Sequence, residues 1–218
     1  ASEIHIWTDV DGVLSADPRR VPDATVIDSL SYHEAMELAY FGAKVIHPQT
    51  MAPAVGRGIP IWIRNTFAPE KQGSLICAKP DSKLPVKGIT SIENIAMVNV
   101  EGAGMIGVPG TAHRLFGALR EEGISVILIS QGSSEHSICC AIPAAEAAKA
   151  ERLVRAAFSR ELAEGQVQSG EATEGLTILA VVGDGMAGTP GISAKVSDAL
   201  GKAAINVRAI AQGASERN

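Results

Sequence analysis

A 34-residue stretch occurs twice in this chain, and this repeat restricts the fold more than any other feature of the sequence. Residues 102–135 align with residues 183–216 without a gap, at a constant offset of 81 and with 15 identities in 34 positions. Both copies keep a G-x-G-M-x-G-x-P-G segment and a Q-G-x-S-E ending. A match of this kind indicates two copies of one supersecondary unit. Paired units suggest a binding site that is built twice.

The composition limits the class of protein. The chain has 218 residues, 46% hydrophobic and 20% charged, which predicts one to three small domains with real cores. A net charge of −5 without a Lys/Arg cluster argues against nucleic-acid or anionic-membrane partners, and no apolar run approaches the roughly 18 residues of a membrane span. Three cysteines without C-x-x-C spacing predict neither a disulfide framework nor a metal site. We therefore expect a cytoplasmic protein that binds small metabolites or protein partners.

The first third of the chain alternates predicted strands and helices. A strand over 4–8 leads into an acidic glycine loop at 9–12. Ser31 and Glu34 have the spacing of a capping box, which predicts a helix from there to Gly42. A short helix over 48–57 and a buried strand over 59–63 follow. This alternation predicts an α/β fold with a mostly parallel sheet.

The remainder of the chain has a different pattern. Residues 79–90 mix prolines, lysines and small polar residues, as a linker does. The order of elements then predicted is β-α-β-β-α, followed by a strand that begins the second copy: 95–100, 111–122, 124–130, 137–142, 144–162 and 176–182. This is the order of a ferredoxin-like split βαβ unit.

The repeated segment carries two chemical features. The glycine loop 102–110 allows backbone N–H groups to approach a ligand, and the helix after it adds a positive N-terminal end, so the loop is suited to a carboxylate. Gln131 and its copy Gln212 have side-chain amides that both donate and accept hydrogen bonds, which suits an amino-acid head group. For either feature the plain alternative is a structural turn.

Several segments together carry a family resemblance. W-T-D-V-D-G at 7–12, D-P-R at 17–19, F-G-A-K-V-I-H-P at 41–48 and G-I-P-I at 58–61 resemble the second half of the aspartate kinase catalytic domain. The repeats resemble its tandem ACT regulatory modules. The segments I-S-Q-G-S-S-E and I-A-Q-G-A-S-E resemble the threonine-sensitive type found in bifunctional aspartokinase–homoserine dehydrogenases.

The resemblance implies two sites. One is an ATP site, used with Mg in the intact enzyme, and lined by Thr8, Asp9, Arg19, Lys44 and Val45. The other is an effector site, most simply for threonine, formed by Gln131, Gln212, Gly107 and Gly188. Arg19 and Lys44 would supply the positive charge that phosphoryl transfer needs. The alternative for Arg19 is a loop salt bridge with Asp17 or Asp23.

The resemblance also implies a domain plan. Residues 1–78 would be the C-terminal, nucleotide-binding part of the kinase domain, 79–92 a linker, 93–170 the first ACT module and 171–218 a truncated second one, with homo-oligomers formed through the ACT modules. The family's Lys-Phe-Gly-Gly phosphate loop and its Gly-Gly-Ser-Asp segment, which serve catalysis and L-aspartate binding, have no counterpart here. We therefore assign no catalytic residue and expect this chain alone to be inactive.

Two other functions remain open from the sequence. One is a stand-alone amino-acid-binding regulatory protein without kinase activity, and the nucleotide-loop residues argue against it. The other is a different amino-acid kinase, of the glutamate or carbamate type, and the ACT-like repeats argue against that.

Overall fold

A computed structural model describes residues 1–42, 47–81, 84–132 and 136–213. The described residues form two compact units. The first unit draws on residues 1–92, 179–206 and 212–218, and the second on residues 93–178 and 207–211. A long strand precedes each of the two repeats, over Gly88–Glu101 and Ser169–Val182, and each of these strands contributes residues to both units.

The first unit contains a four-stranded sheet. Its elements in chain order are β1 (Ile4–Thr8), β2 (Ser29–Ser31), α1 (Tyr32–Tyr40), α2 (Pro48–Val55), β3 (Ile61–Asn65) and β4 (Ser74–Cys77). The strand order is β1-β3-β4-β2, with β1–β3 and β2–β4 parallel, as expected, and β3–β4 antiparallel. Only the short stretch 66–73 connects β3 to β4, and neighbouring strands joined so closely pair antiparallel, because a parallel pair needs a longer crossover.

The predicted capping box at the start of α1 is confirmed. The Ser31 hydroxyl accepts a hydrogen bond from the Glu34 amide at 3.1 Å, and the Glu34 carboxylate accepts one from the Ser31 amide at 2.8 Å. Tyr32, Ala35 and Leu38 on the same helix enter the core of the first unit. A strong N-terminal cap therefore fixes where α1 begins, and its apolar face fixes how it packs.

The second unit contains the predicted β-α-β-β-α order. It is built from β5 (Gly88–Glu101), α3 (Thr111–Glu121), β6 (Leu128–Gln131), β7 (Ser137–Pro143), α4 (Ala147–Ala157), α5 (Ser159–Ala163) and β8 (Ser169–Val182), with the sheet order β6-β7-β5-β8. The strands β5–β7 and β6–β7 are antiparallel. Ile138, Cys140 and Ile142 of β7 enter the core while Cys139 lies on the other face, which is the alternation of a half-buried strand.

The prediction of one continuous helix over 144–162 is wrong, because the structure has three separate helical segments there. A 3₁₀ turn (Ala144–Glu146) precedes α4, and a break at Phe158 separates α4 from α5. Phe158 leaves the helical conformation, with φ −112° and ψ 22°, and its ring is completely buried in the core of the second unit. The break therefore coincides with the placement of a large aromatic ring in the core.

The structure extends the repeat upstream of the sequence match. β5 and β8 have the same length, 14 residues, and their first and last residues differ by the same 81 positions as the glycine loops. Each strand contains one residue with positive φ, Asn94 at 55° and Gly175 at 75°, again 81 positions apart. β5 also begins inside the stretch 79–92 that we predicted to be a linker.

After the glycine loops, the two copies run alike as far as their helices. A 3₁₀ turn follows Gly102 and another follows Gly183, and then α3 and α6 (Ile192–Lys202) begin after Gly110 and Gly191, both with φ 88°. The copies then differ, because β6 pairs with β7 whereas residues 205–211 form no described strand. Ile210 in this second-copy stretch is 72% exposed.

Each glycine loop contacts the segment that leads into the other copy's long strand. A Cβ on Gly102 would lie 2.2 Å from the carbonyl oxygen of Gln166, and one on Gly183 would lie 2.1 Å from that of Pro85. Pro85 and Gln166 are themselves 81 positions apart. Backbone hydrogen bonds follow the same rule, from Gln168 to Glu101 at 2.7 Å and from Lys87 to Val182 at 2.8 Å. Only glycine leaves room for this approach.

Candidate functional sites

An open cavity of the second unit lies where the first glycine loop meets the end of β6. Its volume is about 390 Å³. Its lining residues are Met105, Gly107, Val108, Pro109, Gly110, Thr111, Ala112, Gln131 and Ile138. Two of the residues predicted for the effector site, Gly107 and Gln131, therefore come together at one cavity, although they lie 24 positions apart in the sequence.

The chemistry of this cavity suits a small neutral amino acid. The first turn of α3 begins at its wall after Gly110, and the first amides of a helix have no partner within the helix, so they attract a carboxylate. Gln131 brings an amide that can donate and accept. The described lining residues carry no charged side chain, and Val108, Pro109 and Ile138 add apolar surface.

The second copy keeps the loop conformation, but Gln212 differs from Gln131 in its surroundings. Gly188 has φ 70°, close to the 67° of Gly107. Both glutamines are exposed, but Gln212 lies in the irregular stretch after residue 205, whereas Gln131 ends a paired strand. A second effector site at Gly188 and Gln212 stays a prediction.

The predicted nucleotide residues Thr8 and Asp9 lie at the carboxyl end of β1. β1 and β3 are parallel, so Thr8 is level with Asn65 at the same edge of the sheet. The Thr8 hydroxyl donates to the Asp9 carboxylate at 3.1 Å. Lys44 and Val45, also predicted for this site, lie outside the described residues.

A polar cluster that sequence reasoning missed lies at this edge. The Asn65 amide donates to Asp11 at 2.6 Å, and the Lys71 ammonium donates to the other Asp11 oxygen at 2.7 Å. These two bonds lower the pKa of the Asp11 carboxyl, with Lys71 the larger cause. The acidic glycine loop pointed to Asp11, but only the pairing of β1 with β3 brings Asn65 beside it.

Arg19 forms the salt bridge that the sequence left open as an alternative. Its backbone amide, Nε and Nη2 donate to Asp17, at 3.0, 3.0 and 2.7 Å. The Arg19 side chain is 84% exposed and thus on the surface of the first unit. The hydrogen bonds from Arg19 lower the pKa of Asp17 from 3.8 to about 2. The role of Arg19 toward ATP stays a prediction.

The Asp17–Arg19 contact has a measurable dependence on pH. Because the carboxyl pKa is lowered in the folded protein, the charged contact is complete above pH 3.8 and disappears as the pH falls through about 2. Replacing Arg19 by alanine should return the pKa toward 3.8. An NMR titration of the Asp17 carboxyl carbon measures this, with Asp11 as an internal comparison, because the pKa of Asp11 is lowered by Lys71 and Asn65 and not by Arg19. An Asp17 pKa that does not rise in Arg19→Ala would contradict the assigned cause.

Two family models match the chain. Residues 1–65 match the amino acid kinase family, and residues 98–158 and 179–218 match the ACT domain. The chain therefore combines part of an amino-acid-kinase domain with ACT domains, which are the two domain types that the family resemblance implied. No helix in the part of the chain that the structure describes is long and apolar enough to cross a membrane.

Individual relatives narrow this class. Over its whole length the chain is 51% identical to the chloroplastic bifunctional aspartokinase/homoserine dehydrogenase 1 of Zea mays, and it spans 24% of that protein. The aspartate kinase of Clostridium acetobutylicum has a similar structure over the whole chain, with a TM-score of 0.86, 31% identity and 49% of its own length covered. Over its whole length the chain therefore matches a segment of the aspartate kinases, and of the bifunctional type among them. It spans about a quarter of the length of that bifunctional relative.

A third relative was solved with ligands. Escherichia coli aspartokinase III in complex with aspartate and ADP matches this chain with a TM-score of 0.79 and 30% identity, and its complex with lysine and aspartate matches with a TM-score of 0.75 and 32% identity. In both cases all of this chain and 47% of the relative are covered.

Proposed function

We propose that this chain is the nucleotide-binding and effector-sensing segment of an aspartate kinase. The intact enzyme transfers a phosphoryl group from ATP, used with Mg, to the side-chain carboxylate of L-aspartate and forms 4-phospho-L-aspartate. The observation that carries the sensing part is the cavity that joins Gly107 and Gln131 at the start of α3. The ADP and aspartate bound by the Escherichia coli relative support the substrates.

Threonine is the effector that this cavity favours. Its carboxylate would lie at the first amides of α3, and its hydroxyl or ammonium would bind the Gln131 amide, while its methyl group would contact the apolar wall. A lysine side chain would bring a second ammonium into a cavity whose described lining has no carboxylate to pair with it. Lysine is bound by the Escherichia coli relative, so the two amino acids are the natural pair to compare.

The nucleotide would bind at the carboxyl edge of β1. Thr8 and Asp9 lie at this edge, and Lys44 and Val45 would complete the site. Arg19 would exchange its two side-chain bonds with Asp17 for phosphate oxygens, because a guanidinium binds either partner in the same forked geometry.

The alternative of a stand-alone ACT regulator is not favoured. Residues 1–65 match the amino acid kinase family. A protein that only senses amino acids through ACT domains would not need this part of a kinase domain. A cytoplasmic location and homo-oligomers formed through the ACT modules complete the proposal, while the Zea mays relative is named chloroplastic.

Calorimetric titration tests the effector site. We expect the chain to release or absorb heat with threonine at lower concentrations than with lysine. Gln131→Ala should weaken threonine binding by up to about tenfold, because it removes one hydrogen-bonding group from the cavity. Gln168→Ala is the matched control, since Gln168 is an exposed glutamine of the same unit that does not line the cavity. Unchanged threonine affinity in Gln131→Ala would overturn this site, and tighter lysine binding would overturn the choice of effector.

A further inference from the structure

Glu34 has a second partner beyond the capping box. The residue is 1% exposed, and while one carboxylate oxygen accepts from the Ser31 amide, the other accepts from the backbone amide of Asp184 at 2.8 Å. Asp184 begins the 3₁₀ turn of the second glycine loop. One buried carboxylate therefore joins the first turn of α1 to the second copy of the repeat, 150 positions away in the sequence.

The first copy holds its loop in a different way. There the Gly102 amide donates to the carbonyl of His136 at 3.0 Å, and the Gly104 amide donates to that of Gln166 at 2.9 Å. Those contacts are between backbone groups of the second unit alone. The side-chain link through Glu34 thus distinguishes the second loop from its copy, and it connects that loop to the part of the chain that matches the kinase family.

The burial of Glu34 makes its bonds to Ser31 and Asp184 strong, and these bonds lie near the start of α1. A buried carboxylate with both oxygens bonded holds its partners strongly, because losing either one leaves a desolvated oxygen without a donor. α1 runs from this point to Phe41, whose carbonyl accepts from the Thr90 hydroxyl of β5 at 2.9 Å. α1 is therefore bonded near its start to the second glycine loop and at its end to β5, the long strand of the first repeat. Residues 43–46, which include the predicted nucleotide residues, directly follow Gly42.

We propose that Glu34 is a positioning residue that couples the glycine loop of the second repeat to helix α1, the helix that precedes in the sequence the residues predicted to bind the nucleotide. A loop that moves must either carry α1 with it or give up the bond to Glu34. The coupling itself needs no ligand. Its use in feedback, in which an effector on the second loop changes nucleotide affinity, rests on the proposed function together with the predicted second effector site at Gly188 and Gln212.

Glu34→Gln tests the coupling with little change of shape. A glutamine keeps one oxygen, which can serve the capping box, but its amide nitrogen is a donor and cannot accept from the Asp184 amide. We expect hydrogen exchange of the backbone amides of 184–192 to speed up at least about fivefold in the 218-residue chain, the lower end of typical coupling between sites. Ser31→Ala is the control, because it removes the other capping bond and should speed up exchange in α1 alone.

A second variant removes the donor instead of the acceptor. Asp184→Pro deletes the backbone N–H at the first position of a 3₁₀ turn, where proline is tolerated, and Gly183 before it is already extended, with φ 173° and ψ 127°. We expect faster exchange in α1 from this change in the loop, and Asp184→Ala, which keeps the N–H, should leave α1 unchanged. The double variant Glu34→Gln/Asp184→Pro should exchange no faster than the faster single variant. The proposal would be overturned if the increases in exchange of the two single variants added in the double variant. It would also be overturned if each substitution changed exchange only in the element that carries it.

A third measurement separates this inference from the function on which its regulatory use rests. With saturating threonine, exchange in α1 should change in the unmodified chain and not in Glu34→Gln, while calorimetry shows threonine still bound. If calorimetry detects no threonine binding, this result would count against the proposed effector. The coupling would then be decided by the hydrogen-exchange measurements made without ligand. Threonine that binds and changes α1 equally in both proteins would overturn the role of Glu34.

Discussion

Replacing Phe158 by alanine is expected to lower the free energy of unfolding of the second unit by about 3–5 kcal/mol. The ring is completely buried among the side chains that α3, α4 and the sheet contribute to one core, so its removal leaves a cavity. It also removes the surface under the Arg114 guanidinium, which lies 4.1 Å from the ring centroid and pairs with Glu161 at 2.7 Å. No other single truncation proposed here should have a larger effect.

Urea denaturation followed by circular dichroism measures this change. Phe67→Ala is the matched control, because Phe67 is 82% exposed and its truncation should change stability by less than about 0.5 kcal/mol. The cavity proposed to bind threonine also belongs to the second unit, so Phe158→Ala should weaken threonine binding as well. A loss of stability near that of Phe67→Ala would show that the ring does not support the core.

Gly102→Ala is expected to destabilise the second unit by about 3 kcal/mol, the upper part of the usual range for overpacking. The new Cβ would lie 2.2 Å from the carbonyl oxygen of Gln166 and 2.6 Å from the Cα of Val167, both backbone atoms. The backbone of Gly102 is extended, with φ 168°, so the cause is the contact and not the conformation of the residue.

Gly117→Ala gives the opposite sign in the same unit. Gly117 lies inside α3 and a Cβ there would meet nothing within 4 Å, so alanine should stabilise the helix by about 0.5–1 kcal/mol. Thermal unfolding of the two variants side by side tests both predictions. A neutral Gly102→Ala would mean that the segment 166–167 can move away from the loop without loss of packing.

The sequence predicts well those features that depend on neighbours along the chain. The capping box at Ser31 and Glu34 is a spacing of three residues, and the structure contains both of its bonds. Gly107 and Gln131 could be grouped from the sequence because they recur together in the second copy, and the structure places both at one cavity. The repeat therefore indicates, without any knowledge of their contacts, that the two residues belong together.

Features that depend on strand pairing or on backbone shape alone could not be predicted. The bond between Asn65 and Asp11 requires β1 to lie beside β3, and the bond from Asp184 to Glu34 joins residues 150 positions apart. The matching of β5 to β8 is carried by strand length and by left-handed residues of different type, Asn94 and Gly175, so an identity count does not detect it. The break at Phe158 depends on where the core has room for a ring.

Each glycine loop packs against the segment that precedes the long strand of the other copy, and this exchange suggests how such a protein arose. Pro85 precedes the long strand of the first copy yet contacts the loop of the second, and Gln166 does the reverse. A lone ancestral copy would have lacked this support, unless another molecule of the same kind supplied it. Gene duplication followed by fusion would then have replaced an encounter between two molecules with a contact inside one, so that neither half could afterwards be deleted without exposing the other.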